Sequence, residues 1–145
     1  MRFMPRLAKR TGAGGDGAAR VKPAWQYESA LTIDSRAAQG VSFAIHRISF
    51  GRRMELSRRV RELSRKAEFL AAGTEIDEKL EANILAQEID AMYLEWGLIS
   101  VTGLTIDGET ATSERLLDKG PEELVREIVT AIRGQCGLSE EERKN

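Results

Sequence analysis

The amino-acid sequence predicts an α+β fold, predominantly α, and three observations carry that expectation. The apolar period changes from two to about 3.6 near residue 50, and the longer period then dominates. Leu, Ala, Glu and Arg dominate the composition, which favours helix. An Asp-Gly pair, Asp107-Gly108, stands between two short apolar-containing stretches and marks a β-hairpin. At 145 residues the chain holds one comfortable core, and two would each be small.

Residues 1–40 read as a flexible basic N-terminal arm and linker. TGAGGDGAA offers nothing to bury, so the entropy lost on ordering would go uncompensated. Trp25 and Tyr27 are candidates to dock on the domain, and SRAAQG at 35–40 has linker composition. A single α-rich domain then occupies 41–145. It opens with VSFAIHRISF, where Val41, Phe43 and Ile45 alternate with Ser42, Ala44 and His46, as in a half-buried strand.

From about Arg52 to Ala72, the residues Leu56, Val60, Leu63, Ala67 and Leu70 recur at steps of four and three, the seam of an amphipathic helix. Gly73 is expected to stop it in left-handed geometry. Thr74 is expected to cap a second helix, with Asp77 in the capping-box position. Ile76, Leu80, Ile84, Leu85, Ile89, Met92, Tyr93 and Trp96 line that helix, an arc wider than one neighbour needs, and Gly97 ends it. The short link predicts an antiparallel helical hairpin. In LISVTGLTIDGETAT, the turn at Asp107-Gly108 requires positive φ at both central residues, and its strands are expected to pair with 41–48. Thr112 or Ser113 caps a short helix to Lys119. Gly120-Pro121 separates it from a last helix, Pro121 to about Gln135, with Leu124, Val125, Ile128, Val129 and Ile132 on one face and Gly137 closing it. Ser139 and Glu142 then form a capping box at the head of a helix with fewer than two turns of sequence left.

Net charge is only −1, but it is unevenly distributed. Residues 1–22 carry six positive charges against Asp16, and 51–72 carry seven against three glutamates. Residues 73–106 hold Lys79 against seven acids, and 107–145 hold six positive charges against ten acids. A basic helix packed beside an acidic one accounts for this split, although each exposed pair contributes under about 1 kcal/mol.

Little in the residue set suggests a reaction, and a non-enzymatic protein is expected, without cofactor or metal. His46 has no second imidazole to share an ion. Cys136 lies at the wrong end of a helix dipole for thiolate activation, and one cysteine excludes an internal disulfide and fits a reducing cytoplasm. GAGGDG follows no strand and lacks the Lys-Ser/Thr of a phosphate loop. No apolar run reaches the roughly 18 residues of a membrane span, and the basic N-terminus lacks the pattern of a secretory signal. The basic face Arg52, Arg53, Arg58, Arg59, Arg61 and Arg65 suits phosphates. Without an aromatic platform among the arginines, nucleic acid is the least favoured partner.

The stretch RISFGRRMELSRRVRELSRKAEFLAAG at 47–73, QEIDAMYLEWGL at 87–98, GLTIDGETAT, GPEELVREIV and the terminal GLSEEERKN resembles the tail assembly chaperones of tailed bacteriophages and prophages. The resemblance covers 41–145 and rests on block order and texture. It implies a small α-rich protein of the bacterial host cytoplasm that binds the long tape measure protein and keeps it soluble while tail tube subunits, a second implied partner, assemble around it. It also implies absence from the mature virion, and a longer product made by ribosomal frameshifting near the end of the reading frame, which would continue the helix begun at Ser139. A second copy of the chain is a further admissible partner, and a structural or connector part of a phage particle is the alternative role. Such a holdase must offer apolar surface, docked helix-in-groove, and adaptable side chains suit that task. The candidates are Met92, Tyr93 and Trp96 on the second helix and Leu124, Val125, Ile128 and Ile132 on the last.

Overall fold

The computed structural model describes residues 23–137. Its elements follow in the order β1 (Ala30–Asp34), β2 (Ser42–His46), α1 (Phe50–Ala71), α2 (Ile76–Gly97), β3 (Leu98–Thr102), β4 (Thr105–Ile106), β5 (Glu109–Thr110), α3 (Ser113–Lys119) and α4 (Glu122–Gln135). This is the α+β, mostly helical architecture expected. The stretch of the arm at 1–22 and the capping box at Ser139 lie outside the described residues.

β1, β2 and β3 form an antiparallel sheet in that order. Ala30 stands opposite His46 and Asp34 opposite Ser42, while Ser42 stands opposite Thr102. A bulge between Ala44 and Ile45 shifts the second ladder so that Ile45 meets Leu98. The alternation in β2 is as expected: Val41, Phe43 and Ile45 are buried. β1 is a correction, because the boundary expected at residue 40 falls after a strand that already belongs to the sheet. Leu31 and Ile33 pack against the core, and that burial offsets the entropy of ordering the segment. SRAAQG is the loop joining β1 to β2, with Ser35 N–H donating to Val41 C=O at 2.8 Å. Trp25 and Tyr27 do not dock in the core. They stay exposed and meet each other edge to face at 6.0 Å.

α1 starts earlier than expected because the Ser49 hydroxyl accepts from Arg52 N–H, satisfying one of the first-turn donors. Leu56 is buried along its seam. Gly73 follows α1 without left-handed geometry, and the α2 cap sits one residue later than expected. Glu75 holds it, with Glu78 accepting from the Glu75 N–H at 3.2 Å. At the other end α2 passes directly into β3. Gly97 is the last residue of α2, as expected, and it also serves close packing: a Cβ at that position would lie 2.6 Å from Ile132 of α4.

Asp107 (φ 53°) and Gly108 (φ 81°) both adopt positive φ, as the turn between β4 and β5 requires. That hairpin forms its own two-stranded ladder, and it is β3, not the hairpin, that pairs with β2. Thr112 caps α3 by accepting from Arg115 N–H at 3.1 Å. Pro121 is the N-cap of α4 rather than its first residue, and Gly137 closes it at φ 75°.

One core joins these parts. Phe43 and Ile45 of β2 and Leu98 and Val101 of β3 cluster with Leu94 and Trp96 of α2, Leu116 of α3, and Leu124, Ile128 and Ile132 of α4. α1 enters the cluster through Leu56 alone among fully buried residues, with Val60 and Leu63 partly buried beside it. Farther along the helical hairpin, Ala82 and Leu85 are buried but lie outside that cluster. The sheet and α4 thus pack only on the base of the hairpin, and its distal half is two helices supporting each other.

Candidate interaction surface

At 1.5 Å per residue, the 22 residues of α2 span about 33 Å, whereas the 14 residues of α4 span about 21 Å. α4 and five-residue strands cannot cover α2 from end to end. The coverage falls on its C-terminal half, which corrects the expected binding surface. Tyr93, Trp96, Leu124, Ile128 and Ile132 are all buried, the last three at 0% exposure. Met92 and Val125 are only partly exposed. These residues hold the fold together and offer no free face.

The uncovered apolar side chains lie elsewhere. On the distal part of α2, Ile76, Leu80 and Ile84 are 75, 55 and 51% exposed. On α1, Phe69 is 75% exposed near the tip, and Phe50 and Met54 stand free nearer the base. Ile76, Leu80 and Ile84 recur every four residues, which places them on one stripe. At 100° per residue this stripe lies roughly opposite the seam residues Ala82, Leu85 and Ile89 that face α1. Farther along the same stripe, Leu94 is completely buried. The same face of α2 thus begins in solvent at the tip, is interrupted by Gln87, and ends inside the core at Leu94. The sequence showed its excess width; the missing signal was which end the shorter α4 covers.

Between α1 and α2, just beyond the end of α4, an open groove of about 620 Å³ is lined by Val60, Ser64, Ala67, Ala86, Ile89 and Cys136, among others. Its closed end is fixed by polar contacts. Arg133 of α4 donates to Asp90 at 2.7 Å and stacks 4.3 Å above the Tyr93 ring. Arg53 Nη1 donates to the Cys136 carbonyl at 2.5 Å, placing a cation at the negative end of α4.

The basic face divides in two. Arg52 and Arg53 have structural work, since Arg52 stacks 4.2 Å over the Trp96 ring and donates to the Trp96 carbonyl at 2.8 Å. Arg58, Arg59, Arg61 and Arg65 are exposed. Among the described residues the ion pairs are Arg115–Glu109, Lys119–Asp107, Arg126–Glu122 and Arg133–Asp90. None joins α1 to α2. The basic helix does pack beside the acidic one as expected, but without ion pairs between them among the described residues.

The candidate chemical groups have ordinary structural settings. His46 is half-buried in β2, and burial, then the nearby Arg52 charge, hold its imidazole below the usual value. Cys136 is a buried free thiol. Burial pushes its pKa up against the opposing influence of Arg53 and Arg133, the reverse of what an activated thiolate needs. The described residues hold no cluster of three or more His, Cys, Asp or Glu placed to bind a metal ion, and no helix among them is long and apolar enough to cross a membrane. No family model, curated protein or solved structure matches this chain.

Proposed function

We propose that this protein is a non-enzymatic holdase for a long helical partner, acting as a phage tail assembly chaperone that keeps the tape measure protein soluble. The observation that carries this reading is the distal half of the helical hairpin, where Phe69, Ile76, Leu80 and Ile84 stand largely uncovered. Exposed apolar side chains grouped on one helix face, as Ile76, Leu80 and Ile84 are, mark a place where another chain binds. The i, i+4, i+8 spacing on α2 suits the apolar face of a partner helix. Solubility of the carrier itself is supported by the acids flanking the stripe and the arginines on α1. Under this reading the protein works in the bacterial cytoplasm and leaves the partner before the virion is complete.

The test is co-expression with the long helical protein of the same locus. The wild-type chain should raise that protein's soluble fraction, and Ile84→Asp should not. No gain from the wild type would remove the reading. A second role draws support from the exposed arginines Arg58, Arg59, Arg61 and Arg65 of α1, which suit nucleic-acid phosphates. It requires binding that collapses as salt rises and disappears on charge reversal at Arg58 and Arg59.

A further inference from the structure

We propose that the hairpin also binds further copies of this chain, the outer edge of α1 in one copy docking on the outer edge of α2 in the next. The proposal does not require the holdase reading, but it places a second copy on the same α2 stripe. On α1, Phe50, Met54, Arg58, Arg61, Arg65 and Phe69 recur at steps of four, four, three, four and four, and all six are exposed. At 100° per residue this stripe stands roughly opposite the seam of Leu56, Val60, Leu63, Ala67 and Leu70. It therefore faces away from α2. On α2, the stripe of Ile76, Leu80 and Ile84 faces away from α1, bordered on one side by the exposed acids Asp77, Glu81 and Glu88.

The two edges match in both charge and level. Three arginines on one edge and three acids on the other lack ion-pair partners among the described residues. Because α1 ends at Ala71 and α2 begins at Ile76, equal rise per residue puts Arg65 about level with Ala82 and Arg61 about level with Ala86. A second hairpin set alongside in the same orientation brings Arg65 beside Glu81 of its neighbour, Arg58 and Arg61 beside Glu88, and Phe69 beside Asp77 and Leu80. Apolar contact at the tip and opposite charge behind it then coincide. Pairing α1 with another α1 is disfavoured by like charge.

The complementary edges lie on opposite sides of the hairpin, so the contact is heterologous. Repeating it gives a ring or an open chain, not a two-fold dimer. In sedimentation velocity the full-length protein should form species larger than a dimer as concentration rises from low micromolar to hundreds of micromolar. The triple variants R58E/R61E/R65E and D77K/E81K/E88K should each keep the wild-type circular dichroism spectrum, since all six positions are exposed, and each should associate at least about tenfold more weakly. Mixing the two variants restores opposite charge at every contact and should restore association. A wild-type monomer throughout that range overturns the proposal, as does a triple variant that associates like wild type. So does a mixture that stays monomeric. A wild-type monomer that captures a long helical chain through Ile76, Leu80 and Ile84 assigns the stripe to that partner alone.

Discussion

Trp96 and Glu55 join the two long helices at the base of their hairpin: the indole N–H of α2 donates to the Glu55 carboxylate of α1 at 2.7 Å. Arg52, one turn earlier on α1, covers the same ring and donates to the backbone carbonyl of Trp96. A large aromatic side chain is thus held by packing, a hydrogen bond and a cation at once, at the level where the sheet and α4 also meet α2. No comparable clasp exists among the described residues near the tip.

The hairpin should open from its tip. Amide exchange in 63–71 and 76–84 is expected to be faster than in 52–60 and 89–97, because distal residues share few buried apolar contacts outside the pair of helices. Hydrogen exchange read by mass spectrometry measures this directly, and uniform protection along both helices would contradict it.

Substitution should separate the proposed binding face from the face that folds. Ile84→Asp changes a half-exposed position and should alter stability by within about 0.5 kcal/mol while removing partner solubilisation. Ile128→Ala empties a fully buried site and should cost about 2–5 kcal/mol. Chemical denaturation beside the co-expression assay reads both effects.

Gly97→Ala should destabilise by about 1–3 kcal/mol, because the added methyl has no room against Ile132, whose side chain is completely buried. Adding Ile132→Val should recover part of the loss, giving a non-additive double-mutant cycle by urea denaturation.

Acid should weaken the join between the β1–β2 loop and α4. Glu127 accepts from Ser35 Oγ at 2.6 Å and from Arg36 N–H at 2.7 Å. Burial raises its pKa, but these bonds, with Ala37 N–H and the Arg36 charge, outweigh that and hold it below the ordinary value. A carboxylate lowered in the folded state stabilises at neutral pH. That contribution is complete above the unfolded pKa and is lost as pH falls through the folded one. Glu127→Gln should therefore lower the melting temperature at neutral pH and flatten its decline below about pH 4.5.

Much of the fold was legible because it follows from local rules. The Asp107-Gly108 turn, the Thr112 cap and the closing Gly137 each follow from backbone geometry that few residues satisfy. The Leu56 seam and the Val41–Ile45 alternation follow from period. What failed was non-local. ALTID at 30–34 has the alternation of Leu31 and Ile33, but it sits beside polar, linker-like composition, and only pairing with β2 makes it a strand. Tyr93, Trp96 and Ile128 belong to apolar faces, and a face does not announce whether a neighbour covers it. Ile76, Leu80 and Ile84 differ from Leu94 only in their position along a helix longer than its support. The opposed charges of α1 and α2 were visible too, but not that they would stand on opposite edges.

Placing β1 at the sheet margin also bears on how the chain can be shortened. A version starting after Asp34 would strip β2 of its outer neighbour and leave a row of bare backbone donors and acceptors, a template for strands from other molecules. Clumping of such a fragment would report damage to the sheet, not any purpose of the leading residues. Cuts meant to probe those residues belong ahead of Ala30.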